Sequence, residues 1–138
     1  MIFRHVGIVP LDIEKSLLFY RDLGFDIIKE QIEPQEYVNR LLGINAKMVR
    51  TIKMGIDNQI MIELLEYDLD IVPRNNSVLS QGITHFALGV QDINDLYNKH
   101  KASVEFVSEP LLSPDGYAKV AYCKDPDGNF IELVQLLN

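Results

Sequence analysis

The strongest constraint on this chain is that it is written twice. His5-Val6-Gly7-Ile8-Val9-Pro10-Leu11-Asp12-Ile13 returns as His85-Phe86-Ala87-Leu88-Gly89-Val90-Gln91-Asp92-Ile93. Asp57-Asn58-Gln59-Ile60-Met61-Ile62-Glu63-Leu64 returns as Asp127-Gly128-Asn129-Phe130-Ile131-Glu132-Leu133. Each half opens on His and closes on Ile-Glu-Leu. Internal repetition means like modules packed together, so any fold must consist of two similar units. The first half is the longer one. Its surplus lies around Glu33 to Gly43 and is expected to form a short helix covering something.

Each half reads as strand, helix, then three strands, an α+β pattern of the βαβββ kind. Residues 2–9 are apolar and β-rich. Asp12 is a good helix N-cap because its carboxylate accepts an orphan N–H. Ile13, Leu17 and Tyr20 follow helical spacing, and Gly24 stops the helix. Strands are expected near 25–32, 47–54 and 59–66. The second half repeats this with a strand over 83–90, an N-cap at Asp92, and Ile93, Leu96 and Tyr97 on one helix face. Strands near 103–107, 117–124 and 129–136 follow. Asp57-Asn58 and Asp127-Gly128 are hairpin-turn chemistry. The stretch 68–82, with Pro73, Asn75, Asn76, Ser77 and Gly82, is the clearest linker. One domain over 1–138 is expected, with modules 1–67 and 83–138. If a pseudo-twofold relates them, they form a curved mixed sheet.

Strand alternation puts Glu63 and Glu132 in mid-strand, each with apolar neighbours on its own face. An unpaired carboxylate there costs several kcal/mol. Only three histidines occur in the chain, and two, His5 and His85, hold the same repeat position. Taken as symmetry mates, two imidazoles and two carboxylates converge in a cup. Such an N/O donor set suits Zn, Ni, Co, Mn or Fe. A lone His or Glu on an apolar strand is ordinarily structural; the correlation within the repeat favours ligation. The net charge of −7 argues against nucleic acid, which needs clustered Lys and Arg. The single cysteine, Cys123, excludes a disulfide framework. No apolar run approaches the ~18 residues of a membrane span. A cytoplasmic protein is expected.

These same stretches resemble the vicinal oxygen chelate superfamily, which includes glyoxalase I, methylmalonyl-CoA epimerase, extradiol dioxygenases and drug-resistance proteins. The resemblance is carried by His5 to Val9, by Asp12 to Phe25, by Ile62-Glu63-Leu64-Leu65-Glu66-Tyr67 and by Thr84-His85-Phe86-Ala87-Leu88. Asp125-Pro126-Asp127-Gly128-Asn129-Phe130-Ile131-Glu132 completes it. It implies paired modules around a metal cup, with ligands at His5, Glu63, His85 and Glu132. It also implies a small-molecule substrate and a homodimer. Four ligands with two carboxylates are similar to glyoxalase I, and to the epimerases, which often carry Gln where Glu63 stands; the implied chemistry is a lyase or isomerase reaction of glyoxalase I or epimerase type. Zn, Ni, Co or Mn is then the expected metal, and iron fits less well. The alternatives are a non-catalytic binding or resistance protein and an Fe(II) extradiol-type dioxygenase. Glyoxalase I proteins typically carry an Arg shortly after the first His to hold glutathione; Gly7-Ile8-Val9-Pro10 has none.

The implied reaction moves a proton next to a carbonyl through a metal-stabilised enediolate. Glu132 and Glu63 are the candidate proton carriers. Met61 and Phe130 are expected to line the site, and Arg50 to meet an anionic substrate. Arg50 and Lys53 fall on opposite faces by alternation, so at most one faces inward. Segments 33–44 and 108–117 are candidate lids. Cys123 is expected to be a buried structural thiol, and His100 a helix-end residue without chemistry.

Overall fold

The duplication is visible in the computed structural model, which describes residues 1–137. It separates into two compact units, Met1–Pro73 and the stretch from Arg74 onward. The boundary falls within the segment 68–82.

The first unit contains β1 (Val6–Ile8), α1 (Ile13–Asp22), β2 (Asp26–Ile32), α2 (Gln35–Leu42), β3 (Val49–Ile56) and β4 (Gln59–Tyr67). Its sheet order is β1-β4-β3-β2, with β1 parallel to β4 and the other pairs antiparallel. Asp12 caps α1 as expected, accepting from the Glu14 and Lys15 amides at 3.1 Å each. Ile52, Met54, Ile62 and Leu64 share one face of the sheet and are fully buried. Ile13, Leu17 and Tyr20 form the buried stripe of α1, which packs on β4. Burying each such side chain contributes roughly 1.5–3 kcal/mol.

The surplus of the first half is α2, as the sequence suggested. It buries Val38 alone, within a cluster with Ala46 and Val49 and the half-buried Ile44 and Tyr67. Asn39 locks the return of the chain, donating to the Ala46 carbonyl and accepting from the Ala46 amide, both at 2.9 Å. In register, Val49 opposes Tyr67 and Lys53 opposes Glu63. The two pairs are four residues apart along each strand, so α2 packs on the sheet face that carries Glu63.

The second unit contains β5 (His85–Gly89), α3 (Ile93–His100), β6 (Leu111–Leu112), β7 (Ala118–Lys124) and β8 (Phe130–Leu136). Its order, β5-β8-β7-β6, repeats that of the first, with β5 parallel to β8. Asp92 caps α3 by accepting from the Asp95 amide. Two expectations fail here. The strand over 103–107 is reduced to a single bridge between Phe106 and Cys123, with Glu105 and Val107 each making one backbone bond to β7. Pro110 has no N–H with which to continue the ladder. The edge position passes instead to β6, inside the segment expected to be a lid. The rest of that segment is a pinned turn: Asp115 accepts from the Ser113 hydroxyl at 2.6 Å and from the Tyr117 amide at 3.1 Å. These bonds hold the Asp115 carboxyl below the usual carboxylate range. Among the described residues, no helix is long and apolar enough to cross a membrane.

Candidate metal centre

In the first unit, His5 immediately precedes β1 and Glu63 sits in the middle of β4. The parallel register sets Gly7 beside Glu63, so His5 shares the Glu63 face. Its Nε2 lies 3.1 Å from Glu63 Oε2. The other carboxylate oxygen, Oε1, is 3.5 Å from Lys53 Nζ. The Glu63 side chain is only 14% exposed, so these two contacts satisfy a charge that would otherwise be costly to bury.

The second unit repeats the pairing. His85 opens β5 and Glu132 sits mid-β8, and the register sets Ala87 beside Glu132. His85 Nε2 lies 3.5 Å from Glu132 Oε2. Here the surroundings differ. Tyr122 takes the cross-strand position opposite Glu132 that Lys53 takes opposite Glu63. Its hydroxyl is 3.3 Å from His85 Nε2, and its ring meets the imidazole edge-on at 5.2 Å. Burial, and then the Glu132 carboxylate, push the Tyr122 phenol up. On the far side of the imidazole, Thr84 Oγ1 lies 2.9 Å from His85 Nδ1. With Nδ1 engaged, Nε2 is turned toward Glu132 and the Tyr122 hydroxyl, the arrangement in which a ligating imidazole is oriented by a partner on its other nitrogen.

Among the described residues, no group of three or more His, Cys, Asp or Glu forms a metal-holding cluster. Each unit therefore supplies two donors, one imidazole and one carboxylate, already turned toward each other. That donor chemistry fits a divalent ion of the Zn, Ni, Co or Mn type.

The other expected lining residues fare differently. Phe130 opposes His85 in register and is buried, with Lys124 Nζ 5.5 Å from its ring centroid. Met61 falls where the β3–β4 register shifts, and is half-buried. Arg50 requires a correction. It belongs to the face of Ile52 and Met54, beneath α1, and its guanidinium meets Glu14 at 2.9 Å, Glu30 at 2.8 Å and Glu66 at 3.4 Å. These hydrogen bonds push the Arg50 pKa up. The cation on the Glu63 face is Lys53. Sequence reasoning missed Thr84 and Tyr122. Tyr122 was within reach of it, because pairing the two expected hairpins sets Tyr122 against Glu132.

A family model for the glyoxalase/bleomycin resistance protein/dioxygenase superfamily matches residues 2–133. The chain belongs to that superfamily. Among relatives of the superfamily domain, a probable lactoylglutathione lyase of Synechocystis is 32% identical, the alignment covering 98% of this chain and 95% of the relative. A lactoylglutathione lyase of Arabidopsis thaliana is 27% identical over 96% of this chain, which spans only 44% of that protein. A glyoxalase-family protein of Bacillus cereus has the same fold, with a TM-score of 0.85 at 20% identity, covering 99% of this chain and 94% of that one.

Proposed function

We propose that the chain is a divalent-metal-dependent lyase or isomerase of glyoxalase I type, working as a homodimer on a small 2-oxo or 2-hydroxy compound. The observation that carries this reading is the repeated His–Glu pair, His5 with Glu63 and His85 with Glu132. The naming of relatives as lactoylglutathione lyases supports it. Each of the pairs, His5 with Glu63 and His85 with Glu132, would donate to a divalent ion. That ion supplies Lewis acidity to two adjacent substrate oxygens and so lowers the barrier to removing the proton on the carbon between them.

The chain's own residues do the rest. One glutamate accepts the substrate proton and returns it to the neighbouring carbon. Glu132 is assigned as essential and Glu63 as the proton shuttle. His5 holds Glu63 from one side and Lys53 from the other, so this carboxylate is positioned before substrate arrives. Thr84 and Tyr122 fix the plane of the His85 ring. Phe130 gives the Glu132 side an apolar surface beside the carboxylate.

The test is elemental mass spectrometry of protein purified without chelator. About one equivalent of Zn, Ni, Co or Mn per chain is expected, and His5→Ala should lose it. Loss of hemithioacetal conversion in Glu132→Gln, with metal retained, would place the carboxylate in the proton transfer. A chain that takes up none of these ions when incubated with each would overturn the reading. Iron with oxygen uptake on catechols would replace it with the dioxygenase.

A further inference from the structure

The Glu63 face of the first sheet carries a like-charge pair. Lys29 on β2 stands directly opposite Lys53 on β3, and Lys53 in turn stands opposite Glu63 on β4. Like charges directly across an antiparallel ladder are destabilising, and this chain has only 13 Lys and Arg residues against 20 Asp and Glu. Carboxylates to neutralise a lysine are therefore plentiful, yet Lys29 makes no ion pair among the described residues. Lys53 has one, to Glu63 Oε1 at 3.5 Å, long for a charge-assisted hydrogen bond. Of the other carboxylates on this face, Glu33 accepts from the Thr51 hydroxyl at 3.0 Å and from Gln31, and Asp26, opposite Gly55, makes no ion pair with either lysine. Two lysines thus stand side by side on the Glu63 face, and the one ion pair that either makes among the described residues is that 3.5 Å contact.

We infer that Lys29 and Lys53 form the subsite for a compact anionic group, carboxylate or phosphate, on the substrate. The inference deepens the proposed function and rests on it for the location of the reacting oxygens. Because Lys53 Nζ touches Glu63, the anion sits a few bonds from those oxygens, on a short substrate. The carboxylates of a glutathione adduct lie much further from its reacting carbon. The absence of an Arg from Gly7-Ile8-Val9-Pro10 agrees with this.

The experiment is calorimetric binding to the Ni-loaded full chain, using four probes. 2-Oxobutyrate offers chelating oxygens and no second anion. 2-Oxoglutarate adds a nearby carboxylate, phosphonopyruvate adds a phosphonate, and S-hexylglutathione carries remote carboxylates. The two short dianions should bind on the order of tenfold more tightly than 2-oxobutyrate, as a charge-assisted pair provides. The stronger of the two identifies carboxylate or phosphate. Lys29→Gln should reduce that preference while metal stoichiometry stays at the wild-type value, and the double variant Lys29→Gln/Lys53→Gln should erase it. Lys29 does not touch Glu63, so its variant separates anion binding from metal binding. A preference that is absent, or that survives in the double variant, overturns the inference. So does a Lys29→Gln loss larger for S-hexylglutathione than for 2-oxoglutarate. If the wild type takes up no metal, the proposed function fails on its own. The lysine pair is then judged by 2-oxoglutarate on the metal-free chain: salt-sensitive binding lost in the double variant supports it, and no binding overturns it.

Discussion

At Arg50 one guanidinium ties three elements together, reaching Glu14 on α1, Glu30 on β2 and Glu66 on β4. Its partners are exposed by a third or more, so solvent screens much of their attraction. Arg50→Gln should therefore cost only about 1 kcal/mol in denaturant unfolding, and leave metal uptake unchanged. A loss of metal would return Arg50 to the Glu63 face. Cys123 behaves in the opposite sense, since burial pushes its thiol up to about 12 from an ordinary value of 9.0. The neutral thiol is the folded form, so its contribution is complete below pH 9. Above that the unfolded chain gains a thiolate that the folded chain does not, and stability falls as pH rises toward 12. Cys123→Ala should flatten this slope in unfolding curves measured across that range. Cys123 should also resist thiol reagents until the chain is denatured. At this scale the sequence was informative where residue type and repeat position agreed, as for His5 with His85 and Glu63 with Glu132. It was silent on Lys29, whose meaning depends on a cross-strand register that no local pattern displays.

Among the elements, the hairpin joining β3 to β4 is the most exacting. Asp57 and Asn58 both take positive φ, 50° and 60°, which the paired turn residues had suggested. Just before them, a Cβ added at Gly55 would stand 1.7 Å from the Gln59 carbonyl oxygen. Gly55→Ala should therefore force the two strands apart and cost more than about 3 kcal/mol, above the usual range for one substitution. Gly89→Ala, where nothing lies within 4 Å, is the matched control and should be tolerated. Helix α2 hangs on fewer contacts. Val38→Ala should speed hydrogen exchange across Gln35–Leu42 and leave α1 protected, because Val38 is the only buried residue of α2. Most strands were legible from alternation. The exceptions lie between α3 and β7, where Val104 and Phe106 alternate like strand residues, but the Val104 amide donates to the His100 carbonyl at the end of α3 and Phe106 stacks edge-on against Tyr97 at 4.9 Å. β6 is two exposed leucines, too short for any period to register.

For the whole molecule, the proposed centre makes stability a function of metal. Saturation at about a hundred times the dissociation constant should raise unfolding free energy by roughly 2.7 kcal/mol. His5→Ala or His85→Ala should abolish the rise in thermal scans taken with and without the ion. An equal rise in both variants would show the metal bound elsewhere. The repeat itself was the most legible feature of the chain, since it implied the same succession of strands and helix in both halves before either was seen. What it concealed was where the copies have parted, and that divergence has a genetic consequence. Opposite Glu63 stands Lys53; opposite Glu132, at the same place in the ladder, stands Tyr122. Were the two halves separate products of one gene, a single codon would have to serve both positions. A cation beside one carboxylate and a phenol beside the other is a distinction that two products of one gene could not carry and that a fused pair of copies can.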